Sequence, residues 1–150
     1  MRKRRKFQQG AKDLACDNGQ SDESVMELLF VYGTLRPGGR AQDMMNEFRY
    51  VGRARVRGKL YTLGWYPGLV LGEEGEVTGD VYEVPVSAFE QLDHYEGCAS
   101  TSPEPHEYQR RKVDAVYKSG GTDTVWVYDF IAPVKPDALI EGGDWLEWIK

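Results

Sequence analysis

Six or so short stretches of this chain read as β-strands and only three short ones as helices, an imbalance that excludes most α/β architectures. Residues 28–32 (LLFVY) form a continuous apolar and aromatic run stopped by Gly33, the pattern of a fully buried strand. Residues 50–56 and 59–63 alternate more weakly, Trp65-Tyr66-Pro67-Gly68 interrupts the pattern, and 69–71 resumes it. In 76–84 (EVTGDVYEV), Val77, Gly79 and Val81 take the alternation of a half-buried strand. Residues 107–117 and 122–131 are two more strands, joined by the turn KSGG.

A doubly wound parallel sheet needs a helix of about a dozen residues at nearly every crossover. The helices legible here are shorter. One is 41–48 (AQDMMNEF), with Met44, Met45 and Phe48 inward. A second is 87–96, opened by a Ser87-x-x-Glu90 capping box and closed by Gly97, and a third starts with another capping pattern at Asp144. The expected fold is α+β, a small mixed β-barrel or strongly curled sheet with a few short peripheral helices. Seventeen glycines and seven prolines, scattered without period, supply its turns.

At 150 residues the chain has room for one domain with a sizeable core. Residues 1–25 are polar throughout and carry a net +2, which leaves −7 for 26–150. They read as a disordered tail, solubilising or preceding a true start at Met26, and the compact domain as 26–150. A basic tail that recruits nucleic acid or a protein partner is the rival reading, but an acidic domain is a poor nucleic-acid binder. Arg4-Arg5-Lys6-Phe7 is not followed by the apolar segment an export signal needs, so the expected location is the cytoplasm, with no membrane association. Cys16 and Cys98 make no disulfide framework and no zinc-type spacing. The expectation is a metal-free and cofactor-free protein, monomeric or weakly dimeric.

Two stretches could carry chemistry. In 89–96 (FEQLDHYE) a helix aligns Phe89, Leu92, Asp93 and Glu96 on one stripe, so an apolar face ends in a carboxylic acid. Desolvation and the helix C-terminal dipole would both raise the pKa of Glu96, suiting it to take and return a proton near neutral pH. The plainer alternative is a frayed last turn with Glu96 in water. The second stretch, residues 30–39 (FVYGTLRPGG), ends a buried strand at Gly33 and exposes successive backbone N–H groups able to grip a carboxylate or phosphate, with Arg36 as a fixed cation. It lacks the Lys-Ser/Thr pair of a phosphate-binding Walker loop, and an ordinary strand followed by a Pro-Gly turn is the alternative. His94 and Cys98 at i and i+4 could form a thiol and its base or half a metal site, but no third ligand accompanies them at helical spacing.

Tyr32-Gly33-Thr34-Leu35-Arg36-Pro37-Gly38, then Leu92-Asp93-His94-Tyr95-Glu96-Gly97 about 60 residues later, then Tyr108-Gln109-Arg110, resemble the gamma-glutamylcyclotransferase-like superfamily across roughly residues 27–130. The "YGTL" form is most similar to the gamma-glutamylamine cyclotransferase branch and its small bacterial and plant relatives. The resemblance implies a small mixed β-barrel in which the amides of the loop hold the α-carboxylate of a gamma-glutamyl group and Glu96 is the acid/base. The reaction it implies is closure of the gamma-glutamyl group to 5-oxoproline with release of an amine or amino acid.

Tyr32, Tyr108 and Tyr128 are candidate hydroxyl donors to the substrate, though aromatic residues on alternating strands are usually core. Trp65, Tyr66, Pro67 and Gly68 are candidate walls by the same comparison. Trp126 and Phe130 read as packing, and Arg110 and Arg111 as either exposed strand positions or neighbours of the acyl group. The branch's Gln-Pro-Asn-His-like segment is replaced by Gly38-Gly39-Arg40-Ala41-Gln42, which leaves the leaving group open. Residues 98–107 (CASTSPEPHE) read as a rim loop that would select it. A module of the same fold that binds gamma-glutamyl or other carboxylates without turning them over is the alternative function.

Overall fold

The computed structural model describes residues 25–150, so all of the presumed tail except Val25 lies outside the described residues. Its strands are β1 (Met26–Val31), β2 (Arg49–Thr62), β3 (Pro67–Pro85), β4 (Tyr108–Tyr117), β5 (Thr122–Phe130) and β6 (Leu139–Ile140). Two short α-helices, α1 (Phe89–Glu96) and α2 (Trp145–Trp148), lie between or after them. Antiparallel pairing runs β1 to β3, β3 to β2, β2 to β4 and β4 to β5. A parallel contact between β5 and β1, at Leu29 and Trp126, closes the ring into a five-stranded mixed barrel, and β6 extends the pairing of β2. The expected barrel with few short helices is the observed one.

The continuous apolar run of β1 has a simple cause: both of its faces are covered. Phe30 points into the barrel with Val56, Leu60, Leu69, Val77 and Val127. Leu29 and Val31 point the other way, into a second cluster that α1 completes with Phe89 and Leu92. Burial of the α1 stripe, not intrinsic helix propensity, holds so short a helix in place.

The two strand fragments read in 50–63, and likewise those in 69–71 and 76–84, are each one strand. β2 pairs with β3 along its length, and the register jumps so that Arg57 faces Glu76 while the next residue, Gly58, faces Leu71. The apparent break in the alternation is therefore a register shift, at which residues 72–75 of β3 have no partner in the ladder with β2, and neither strand ends there. Alternation cannot distinguish such a shift from a strand end.

Gly79 lies where β3 passes under β1. A Cβ there would collide with the carbonyl oxygen of Val31 and lie 2.5 Å from Cζ of Phe30. Gly79→Ala is expected to destabilise the protein by about 1–3 kcal/mol through overpacking, read as a lower denaturant midpoint at unchanged m-value.

The helix termini correct one expectation and meet two. Residues Val86–Ala88 form a 3₁₀ turn leading into α1, with Pro85 extended before it and no side-chain cap, so Ser87 and Glu90 do not make their box. At the other end Gly97 takes the left-handed conformation (φ 76°), and the N–H of Cys98 reaches the Asp93 carbonyl at 2.9 Å. Asp144 caps α2, its Oδ1 accepting from the Glu147 N–H at 3.3 Å. The helix expected over 41–48 is a 3₁₀ helix, Gln42–Met45, with Met45 buried and Met44 and Phe48 packed beside it. Among the described residues no helix is long and apolar enough to cross a membrane.

Candidate active site

The end of β1, the start of β3, the C-terminus of α1 and Tyr108 and Tyr128 of β4 and β5 enclose a cavity of about 260 Å³. Of the residues singled out in the sequence, it brings together Tyr32, Gly33, Thr34, Leu35, Tyr66, Pro67, Glu96, Tyr108 and Tyr128, with Trp65 at the wall. Arg36 and Gly68 are not among its lining residues.

The loop after β1 folds back through its carbonyls. The Arg36 N–H donates to the Gly33 oxygen at 3.1 Å and the Ala41 N–H to the Thr34 oxygen at 2.9 Å. The N–H groups of Gly33, Thr34 and Leu35 donate to nothing among the described residues. Three consecutive unpaired donors at a cavity wall make a concave patch of partial positive charge suited to an anion. A Cβ at Gly33 would lie 2.6 Å from Cγ of Pro67, which closes the cavity beside it. Gly33→Ala is therefore expected to push the loop and Pro67 apart and raise KM about tenfold or more, an effect steady-state kinetics would read.

The place of Arg36 corrects an expectation. Its side chain is 1% exposed and spans two carboxylates, Nε donating to Asp80 Oδ2 at 2.7 Å and Nη1 to Asp144 Oδ1 at 2.9 Å. Its charge is spent inside the protein, and among the described residues no Lys, Arg or His lines the cavity. An anion bound there would be held by backbone amides. Gly68 is excluded for a packing reason, since its Cα hydrogens press on Phe130, where a Cβ would come within 2.8 Å of Cγ.

Glu96 ends α1 half-buried and lines the cavity. Its carboxyl makes no hydrogen bond or ion pair among the described residues. Burial, and next the negative charge of Asp93 one turn earlier, raise its pKa from the ordinary 4.5 to about 7. The frayed-turn alternative does not describe this helix end, which Gly97 closes.

Asp93 is held firmly. It takes a two-pronged bond from Arg110, Nε to Oδ1 at 2.9 Å and Nη2 to Oδ2 at 3.1 Å, and the Tyr128 hydroxyl donates to Oδ1 at 2.7 Å. The Arg110 guanidinium lies over the rings of Phe89 (4.2 Å) and Trp126 (4.6 Å). Arg110 thus acts on the helix, and Arg111 reaches Asp129 at 3.5 Å; neither lines the cavity. Trp126 and Phe130 pack as expected.

The tyrosines do not act as expected. Tyr32 donates its hydroxyl proton to the Tyr128 carbonyl at 2.6 Å and Tyr108 to the Pro67 carbonyl at 2.7 Å, while Tyr128 donates to Asp93. Their donors are committed to the protein. Burial, the largest cause in each case, pushes all three phenols up, well away from ionisation.

Sequence reasoning missed Tyr95 and Glu107. The Tyr95 hydroxyl shares a 2.8 Å hydrogen bond with Thr34 Oγ1, tying the end of α1 to the anion-binding loop, and Tyr66 donates to Glu107 at 3.4 Å. Tyr95 lies off the apolar stripe and stood out only as a member of the Leu92–Gly97 motif, and Glu107 is one acid in a polar loop. Of residues 98–107, only Glu107 lines the cavity. Burial pushes the Cys98 thiol up to about 11, away from the thiolate a nucleophile needs, and His94 approaches Thr101 at 3.4 Å. Among the described residues no His, Cys, Asp and Glu group could hold a metal ion.

Comparison with known proteins places this geometry. Residues 29–147 match the family model "Gamma-glutamyl cyclotransferase, AIG2-like". The gamma-glutamylcyclotransferase family protein YtfP of Escherichia coli K12 is 33% identical over 120 residues, 79% of this chain and 96% of that protein. The gamma-L-glutamyl-butirosin B gamma-glutamyl cyclotransferase of Niallia circulans is 36% identical over 105 residues, 69% of this chain and 66% of that protein. An AIG2-like protein from Mus musculus superposes with a TM-score of 0.66 at 26% identity, over 80% of this chain and 88% of its own. A closed five-stranded mixed barrel with a carboxyl and three amides that are unpaired among the described residues on one cavity is thus joined to a family match along most of its length, and the chain belongs to the AIG2-like gamma-glutamyl cyclotransferase family, with a cyclotransferase type of function.

Proposed function

We propose that this protein closes the gamma-glutamyl group of a gamma-glutamyl amine or amino acid to 5-oxoproline, with Glu96 as the general acid/base. The observation that carries this reading is the shared cavity, lined by a carboxyl with a pKa of about 7 and by Gly33, Thr34 and Leu35, whose N–H groups, like the carboxyl, are unpaired among the described residues. The α-carboxylate lies on the amides. The α-nitrogen is thereby turned toward Glu96, and the chain folds so that this nitrogen faces its own γ-carbonyl carbon.

The bond that forms joins the α-nitrogen to the γ-carbon, and the bond that breaks joins that carbon to the departing nitrogen. Two protons leave the α-ammonium on its way to the ring N–H, and the departing amine takes up two to leave as an ammonium ion. Glu96, half ionised near pH 7, relays them: as carboxylate it removes a proton from the unreactive ammonium, as acid it protonates the leaving nitrogen. Because nucleophile and electrophile belong to one molecule, positioning supplies much of the rate and the reaction needs no cofactor.

Incubating the purified protein with a panel of gamma-glutamyl amines and amino acids, and quantifying 5-oxoproline and amine by mass spectrometry, tests the proposal. Equimolar products from at least one compound are expected. Binding of the panel without product would instead identify a carboxylate-binding module of the same fold.

A further inference from the structure

The hydrogen bonds of Tyr32, Tyr108 and Tyr128 share a direction. Each hydroxyl gives its only proton to a group that cannot return one: the Tyr128 carbonyl, the Pro67 carbonyl and the Asp93 carboxylate. Each phenol oxygen can also accept a hydrogen bond. The Leu69 N–H bears on the Tyr32 oxygen, while the Tyr108 and Tyr128 oxygens accept from nothing among the described residues. All three residues line the cavity beside Glu96, whose charge bears on each phenol. The loop wall offers backbone donors instead, the N–H groups of Gly33, Thr34 and Leu35.

We propose that Tyr32, Tyr108 and Tyr128 form an acceptor wall that binds the α-ammonium of the substrate through their hydroxyl oxygens, complementing the amide wall that binds its α-carboxylate. The inference rests on the proposed function and adds how the two ends of the α-amino acid head are told apart. A carboxylate turned toward the tyrosines would meet three phenol oxygens with no proton left to give. An ammonium turned toward the amides would meet only N–H groups. One orientation satisfies both walls, and it presents the α-nitrogen to Glu96. The wall also accounts for how a cavity without a basic side chain can select a zwitterion: polarity is built from committed protons, and because burial holds the phenols un-ionised it persists across the working pH range.

The test compares two ligands that differ only at the α-position, gamma-L-glutamyl methylamide and its des-amino counterpart, glutaric acid monomethylamide. Their dissociation constants are measured by calorimetry on the Glu96→Gln protein, which slows turnover, and on the same protein carrying Tyr32→Phe, Tyr108→Phe or Tyr128→Phe in turn. Packing changes weaken both ligands alike, whereas loss of an acceptor weakens only the amine-bearing one. At least one substitution is expected to weaken the amine-bearing ligand about tenfold more than the des-amino ligand, as loss of a hydrogen bond to a charged group requires. Equal weakening of the two ligands by all three substitutions would overturn the acceptor wall and leave the proposed function standing. Binding of neither ligand to the Glu96→Gln protein would overturn both.

Discussion

Replacing Glu96 by glutamine is expected to lower kcat about 10²–10⁴-fold, the span general acid–base groups supply, with the barrel unchanged. Gln keeps the shape of the side chain and removes its ability to carry a proton. In the parent, kcat/KM is expected to rise with pH through an acid limb near 7, because the carboxyl reaches its ionised form only there. The same shift makes a stability prediction of opposite sign. The folded protein holds the Glu96 proton to about pH 7 and the unfolded chain only to its ordinary value of 4.5. Between those values the native state binds more protons, so stability falls as pH rises through that window, by about 3 kcal/mol at most. Glu96→Gln removes the titration. The variant should therefore melt higher than the parent above pH 7, and the two should converge toward pH 5. Undiminished turnover in the variant would remove Glu96 from the mechanism, and parallel melting curves at all pH values would refute its burial.

What the sequence disclosed and what it concealed follow from the range of each interaction. The stripe of Phe89, Leu92 and Glu96 was legible because helical periodicity is local, and the structure buries its first two members at 4% and 2% exposure. The both-faces burial of β1 was legible because an unalternating apolar run gives a strand no face suited to water. The partners of Arg36 were not, because Asp80 and Asp144 lie 44 and 108 residues away and no local pattern announces them. The direction of the tyrosine hydroxyls was hidden for the same reason. Tyr32 and the carbonyl it reaches are 96 residues apart, and only the closed barrel makes them neighbours. Residue types announced a candidate site, and topology decided which atoms remain free in it.

Replacing Arg36 by leucine is expected to cost about 3–5 kcal/mol, a loss that lowers Tm by roughly 10 °C in a domain of this size. The cost comes less from the lost attraction than from what remains: Asp80, its side chain 2% exposed, would be left, among the described residues, with the Tyr50 hydroxyl (2.6 Å) and a longer contact to Arg53 (3.6 Å). Arg36→Lys should rescue little of it. One guanidinium uses two different nitrogens to reach carboxylates arriving from β3 and from the cap of α2, a fork an ammonium cannot reproduce. Asp144→Asn should be milder, since that carboxyl is 20% exposed and water can compensate. Because Arg36 follows Leu35 directly, the cluster also anchors the loop whose residues 33–35 line the cavity. The leucine variant should accordingly raise KM more than it lowers kcat, even at temperatures where it remains folded, since Glu96 stands on a separate element, the helix that Asp93 and Arg110 hold. A variant that melts like the parent would show that the Arg36 cluster does not stabilise the barrel. A normal KM in a destabilised protein would show that the loop keeps its shape without the anchor.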